Sequence, residues 1–396
     1  MKIVFLISQS FPFGTAYASR TQNFCKAFLQ TQHNIDVMCD YLSDEQYRNY
    51  NNVGQFENIR IFYLAKKRKK LDRFVVPIKY SRLLEWYIIT EKPDLIITSS
   101  AYDRFPYILK MAQKNSIPII LESCEKYDVS NWRFGKLDYR YYQFQCCWNK
   151  YYSKVDGVIA ISRLLQKHYA NYNLKTIRIP TILDVQNSEY QIECNNSSQR
   201  IFTFAGTLGG GKDRLAEFIQ AMYDIGKNTE VMPILNIYGP SREQVEKQLG
   251  EEKDILKKLE DRINFFGKIP QEKVPTVVRK SDFSIILRPV RESSNAGFPT
   301  KLAESMAVGT PVFTNITGDI GLYVKDGYNG VITQSEKKKD IVERLKYILN
   351  MNEKEIIMMR NAARRTAIDS FDFRSYEEGL HQFICDIING GEKNVI

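Results

Sequence analysis

Apolar runs of strand length alternate with stretches of helical spacing along most of the chain, punctuated by Gly, Pro, Ser and Asn. Lys2 to Ile7 is a first strand, and a polar loop, Ser8 to Thr15, carries Gly14 into a helix over Ser19 to Gln30. Strands at Ile35 to Met38 and Ile59 to Tyr63 follow, then a helix over Pro77 to Thr90. The pattern continues with a strand at Asp94 to Thr98, a helix over Arg104 to Lys114 and a strand at Pro118 to Leu121. Lys136 to Ser153 is rich in aromatics and predicts one long, largely buried helix. Val158 to Ser162 and Ile177 to Pro180 are the last strands of this half.

Asp184 to Arg200 is polar, with Asn195-Asn196-Ser197-Ser198 at its centre, and reads as a linker. The second half repeats the alternation: strands at Ile201 to Ala205, Ile234 to Tyr238 and Ile263 to Phe266, helices over Leu215 to Lys227, Glu243 to Leu259 and Glu272 to Arg279. Phe283 to Leu287 is then a strand and Arg288 to Ala296 a polar loop. Gly297-Phe298-Pro299 opens a short helix with Pro299 at its first position, and Leu302 and Met306 give that helix an apolar face. Gly309 stops it before a strand at Pro311 to Phe313. A strand at Gly330 to Ile332 and helices over Lys337 to Leu349 and Glu353 to Ser370 complete the half. In the tail, Leu380, Phe383, Ile384, Ile387 and Ile388 recur at helical spacing and need a surface to pack on. The whole predicts an α/β protein with two mostly parallel, doubly wound sheets. Its domains are 1–184, a linker 185–200, 201–372 and a tail 373–396.

Composition narrows the chemistry. The formal charge of +10 over 396 residues favours anionic partners. Seven scattered cysteines without zinc or CxxC spacing fit a reduced, cytoplasmic setting, and three scattered histidines argue against a histidine-built metal site. No apolar run reaches membrane-spanning length, and the N-terminus reads as a strand rather than a signal peptide. Lys66, Lys67, Arg68, Lys69 and Lys70 precede Leu71 and Phe74 to Val76, which makes them either a solvated loop or a contact for an anionic membrane surface. No nucleic-acid-binding motif accompanies them.

Two strand–loop–helix junctions carry candidate chemistry. The loop Gly206 to Lys212 fits the start of a Walker A loop, but Asp213 stands where Ser or Thr would hold Mg²⁺, so it reads as an anion cradle rather than an ATPase motif. At Gly297 to Lys301 the amides of a helix N-terminus, Thr300 among them, offer a second phosphate site. Glu304 lies ~7–8 Å further along that helix, where its carboxylate can accept from ribose hydroxyls instead of facing phosphate. An ordinary strand–helix–strand unit with a surface Glu explains the same segment equally well. Glu122, Glu125 and Asp128 cluster after the Pro118 strand, either at a ligand edge or as a capping loop.

At these residues the chain resembles the family 4 glycosyltransferases, most strongly from Phe202 to Ile332. The resemblance implies the GT-B fold: two Rossmann-like domains facing a cleft, with the C-terminal helix crossing back to the first domain. It implies a retaining transfer of sugar from a nucleotide-diphosphate donor to a glycan or lipid-linked acceptor, in surface polysaccharide biosynthesis, with no metal or other cofactor. Lys212 matches the family's diphosphate lysine, while Thr207 stands where its partner arginine usually is, and Arg288 or Arg291 is the substitute. Glu304 matches the second acid of the Glu-x7-Glu motif, and Ala296 replaces the first, whose role passes to Asn295 or to the amides of Gly297 and Phe298. Gly267, Lys268 and Ile269 match the loop that reads the nucleobase, Gly14 the first-domain loop against the donor, and Glu125 the place of an acceptor-side His-Asp pair. The competing readings are a non-catalytic nucleotide-sugar-binding subunit and a nucleotide-sugar epimerase or phosphorylase on the same fold.

Overall fold

The computed structural model describes residues 1–50, 52–65, 72–192, 199–208, 211, 213–226 and 232–391. The basic run Lys66 to Lys70, the linker centre Asn195 to Ser198 and Lys212 lie outside these described residues. The chain divides into two compact units, Met1–Leu183 with Phe373–Ile396, and Asp184–Asp372.

The first unit is built on ten strands: β1 (Lys2–Leu6), β2 (Ser10–Phe11), β3 (Asn34–Leu42), β4 (Arg48–Tyr50), β5 (Val53–Phe56), β6 (Ile59–Ala65), β7 (Leu95–Ser99), β8 (Ile119–Ser123), β9 (Gly157–Ala160) and β10 (Lys175–Arg178). Their order is β10-β9-β8-β7-β1-β3-β6-β5-β4, with β2 paired to β3. All pairings are parallel except at the β6-β5-β4 edge. Phe5 lies between Val37 and Ile97 on one face, and its chain neighbours Val4 and Leu6, on the other face, are buried too, so this central strand is apolar on both faces, as a helix-covered parallel sheet requires. The antiparallel edge escaped the sequence reading because its strands, Arg-Asn-Tyr and Val-Gly-Gln-Phe, are short and polar. The tail helix Glu377–Gly391 belongs to this unit: Leu380, Phe383, Ile384 and Ile387 are buried in its core. Phe383 and Ile387 lie over Gly157, where any Cβ would collide with Ile387 and crowd Phe383.

The second unit is a six-stranded parallel sheet: β11 (Ile201–Ala205), β12 (Ile234–Tyr238), β13 (Ile263–Gly267), β14 (Phe283–Ile286), β15 (Val312–Asn315) and β16 (Gly330–Thr333). The order β13-β12-β11-β14-β15-β16 reverses direction between β11 and β14. Its core gathers Phe202, Phe218, Phe283 and Phe313, with Phe202 stacked 5.5 Å from Phe283.

Three helical expectations are corrected. Lys136 to Ser153 is not one buried helix. Gly135 turns through φ 56, Asp138 caps a fresh start by accepting from Arg140 N at 3.1 Å, and the helix Tyr139–Cys146 widens into a π turn over Cys147–Tyr151. Phe144, Trp148 and Tyr152 point inward while Tyr139 and Tyr142 are exposed, so aromatic content was a poor guide to burial. Glu243 to Leu259 breaks at Gly250, which leaves the helix Arg242–Leu249 at φ 62. The loop Arg288 to Ala296 contains a one-turn helix, Glu292–Ala296.

Candidate functional site

Open α/β sheets bind ligands where the strand order reverses, beyond the carboxyl ends of the flanking strands. In the second unit that point lies between β11 and β14, and the two junctions singled out above leave from those strands. The site floor is backbone. Gly206 N donates to Tyr238 O at 3.0 Å and Gly239 N to Gly267 O at 2.7 Å. Gly239 has φ 108, and a Cβ there would run into the Gly206 carbonyl. A Cβ on Gly206 would lie 2.5 Å from Lys301 Cε. Gly239→Ala should therefore cost about 1–3 kcal/mol in chemical denaturation, from the strained φ and the displaced floor.

The helix over the floor is Thr300–Ala307. Pro299 is its cap residue rather than its first helical residue, at φ −74 and ψ 111, with no side-chain cap. Leu302 N already bonds Pro299 O at 3.0 Å, which leaves the amides of Thr300 and Lys301 as the turn's open donors. Gly297 does not supply one: its N–H donates to Ser293 O at 3.3 Å and ends the preceding helix. Phe298 is buried against Tyr323 and Phe371, which fixes the helix entry. Gly309, at φ 72, closes the helix as the sequence suggested, with Gly309 N bonded to Met306 O.

Lys301 reaches across to Asp213, Nζ to Oδ1 3.1 Å, and lies 4.1 Å from the centre of the Phe204 ring. Burial pulls its ammonium below the usual lysine range; Asp213 opposes that shift and Arg288 reinforces it. Arg288 is thus close enough to be felt electrostatically, while its backbone is clamped by Asn315, N to Oδ1 2.9 Å and O to Nδ2 2.8 Å. Arg291 donates to the Gly211 carbonyl, in the loop expected to hold phosphate. Three cations around one loop, with Asp213 beside them, make a strongly electropositive junction that favours an anion.

Glu304 stands one turn along the helix, and burial lifts its carboxyl to about 7, against the opposing pull of Lys301 and with a further push from Glu189. Glu189 and the buried Tyr190 belong to a short turn, Ser188–Tyr190, that closes beside Glu304. This part of the expected linker is site wall. The Asn295 side chain is committed on one atom, its Oδ1 accepting from Gly318 N at 2.8 Å, and Ala296 is fully buried. Thr207 and Lys268 are exposed and Ile269 is half-buried. Beside Gly267, Tyr238 and Phe266 stack with ring centres 4.5 Å apart, and Phe266 presents an open aromatic face. Sequence reasoning missed Asp213 as a partner of Lys301, and also Tyr190 and the Tyr238–Phe266 stack.

In the first unit, Gly14 adopts φ 108 in the exposed loop between β2 and the helix Ala16–Gln30. The three acids after β8 take three roles. Glu122 is buried in a 2.5 Å ion pair with Arg20. Glu125 hydrogen-bonds the Tyr127 hydroxyl, which burial pushes far up. Asp128 caps the turn Val129–Asn131, accepting from Ser130 N at 2.9 Å, which is the capping role. Among the described residues no group of His, Cys, Asp and Glu is placed to hold a metal, and no helix is long and apolar enough to cross a membrane.

Residues 186–365 match the family model "Glycosyl transferases group 1". An uncharacterized glycosyltransferase, MJ1178 of Methanocaldococcus jannaschii, is 26% identical over 198 residues; the match spans 50% of this chain and about half, 51%, of that relative. Sucrose-phosphate synthase of Thermosynechococcus elongatus superposes with TM-score 0.73 at 13% identity, covering 98% of this chain and 99% of the other. HepE of Anabaena, solved in complex with UDP and glucose, gives TM-score 0.68 at 14% identity over 98% and 100%. Residues 186–365, in the second unit, thus resemble group 1 glycosyltransferases, and the chain has the GT-B fold of these solved structures.

Proposed function

We propose that the chain moves a sugar from a nucleotide-diphosphate donor to a glycan or lipid-linked acceptor, with retention of anomeric configuration, in the building of surface polysaccharide. The observation that carries this reading is the electropositive junction of Lys301, Arg288 and Arg291 at the strand reversal, with a protonatable Glu304 one turn beyond it. The structure of HepE with UDP and glucose supports a nucleotide sugar as donor. Residues 201–372 serve as the donor side and 1–184 as the acceptor side.

The donor diphosphate lies against the amides of Thr300 and Lys301 and against Lys212, whose role rests on the family resemblance. These groups meet the negative charge that builds on the leaving diphosphate as the glycosidic bond breaks. Glu304 accepts from the ribose hydroxyls, and the base lies at Gly267 to Ile269, against the Tyr238–Phe266 stack. Glu125 and Gly14 belong to the acceptor side. No metal or other cofactor takes part. The protein works in the cytoplasm, at the inner membrane face, with the basic run Lys66 to Lys70 toward anionic lipid.

A panel of UDP-, GDP- and ADP-sugars in EDTA should show one base raising the melting temperature in a concentration-dependent way. No shift with any of them would sink the donor assignment. A second reading, a nucleotide-sugar-binding subunit without turnover, is favoured by the buried Ala296 where the family has an acid. Tight binding with neither transfer nor hydrolysis would select it.

A further inference from the structure

The stretch from Val129 to Lys154 has five cations, Arg133, Lys136, Arg140, Lys150 and Lys154, and one acid, Asp138. Asp138 is buried and bonded to Arg140 at 2.9 and 2.6 Å, so these two charges offset each other and the excess positive charge of the stretch comes from Arg133, Lys136, Lys150 and Lys154. Along the same stretch Leu137 is 88% exposed, Tyr139 69%, Phe134 62% and Tyr142 59%. Single exposed apolar residues are ordinary, but four within nine positions are a patch. Tyr139 and Tyr142 share one face of the helix Tyr139–Cys146, opposite the buried Phe144. The patch is also held firmly outward. Trp132 packs 5.7 Å from Tyr102 and 5.4 Å from Tyr127, Arg140 lies 5.7 Å from the Trp132 ring, and Gly135–Leu137 is a tight turn that thrusts Leu137 away from this aromatic base.

We propose that Arg133 to Tyr142 is a docking surface for an anionic lipid bilayer. Phe134 and Leu137 enter the acyl boundary, Tyr139 and Tyr142 lie at headgroup depth, where amphipathic rings are favoured, and Arg133 and Lys136 meet the lipid phosphates. Charge complementarity selects this partner: an apolar protein surface would not need the cations, and a solvated loop would not need Leu137. The assignment does not rest on the basic run at Lys66 to Lys70.

The full-length protein is tested by co-sedimentation with vesicles of phosphatidylcholine, with and without phosphatidylglycerol. Wild type should bind the anionic vesicles and lose binding as salt rises. Arg133→Glu/Lys136→Glu should lower partitioning by roughly tenfold or more, and Phe134→Ser/Leu137→Ser by a comparable factor at unchanged circular dichroism. Leu137→Trp reports insertion directly: brominated phosphatidylcholine should quench its fluorescence beyond the quenching of wild type. Unchanged partitioning in both double variants would overturn the proposal. So would absence of extra quenching on vesicles that bind the protein, or a Leu137→Trp emission shift that follows protein concentration without lipid, which would mark a contact between copies.

Discussion

Glu304→Gln should lower transfer by two or more orders of magnitude while raising the melting temperature above pH 7. The two effects have one cause. A carboxyl carried to about 7 by burial costs the folded protein stability once it must ionise. Below its ordinary value of 4.5 the group is protonated in both states and contributes nothing. From there to about pH 7 the unfolded chain releases the proton and the folded one keeps it, so folded stability falls as pH rises. Above pH 7 the penalty is constant, of order 1–3 kcal/mol. Glutamine removes it, so the gain in melting temperature should be near zero at pH 4.5 and grow to a plateau by pH 8. A gain that shrinks with rising pH would contradict the burial that defines this residue.

Function runs the other way. If ribose hydroxyls donate to Glu304, the ionised form is the better acceptor, and donor affinity should rise as pH passes through 7. In Glu304→Gln that pH dependence should vanish, and the rate should fall by about 3 kcal/mol in barrier terms. Near-normal turnover in the purified variant would remove Glu304 from the site. A residue that destabilises the fold where a ligand is to bind is the pattern expected of a functional group rather than a scaffold one.

What could be read ahead of the structure was local. The helix bearing Glu304 was legible because Pro299 marks its start and Gly309 its end, and the one-turn spacing to Glu304 follows from helix geometry. The parallel sheets followed from uninterrupted apolar runs. What could not be read was pairing across the chain. Lys301 finds Asp213 88 positions away, and Arg20 finds Glu122 at 102 positions. No periodicity encodes either. Asp213 was visible only as a departure from a phosphate-loop pattern, and its meaning depends on which strand lies beside it. The Ser188–Tyr190 turn was hidden for the opposite reason: a polar composition that suits a linker suits equally well a short wall closing on a buried carboxyl.

Arg20→Met should cost the first unit about 3–5 kcal/mol, because it strands the buried Glu122 carboxylate. Both side chains are almost fully buried, with Nε and Oε1 2.5 Å apart. Arg20 also donates to the carbonyls of Ile179, at 2.9 Å, and Pro180, and thereby ties the helix Ala16–Gln30 to β8 and to the segment after β10. Glu122 accepts in addition from the Cys124 thiol at 2.8 Å and from the Tyr17 hydroxyl, whose ionisation burial pushes far up. Tryptophan fluorescence isolates the effect, since Trp86, Trp132 and Trp148 all lie in the first unit. The fluorescence transition in urea should move to lower denaturant in Arg20→Met. Arg20→Met/Glu122→Leu should recover most of the loss, because two apolar groups need no compensation while one buried charge does. If the double variant is as unstable as the single, the ion pair is not the origin of the loss, and the carbonyl bonds to Ile179 and Pro180 are. Either way the loop bearing Glu125 starts two residues after Glu122, so the pair also anchors the start of the loop that carries the carboxylate proposed for the acceptor side.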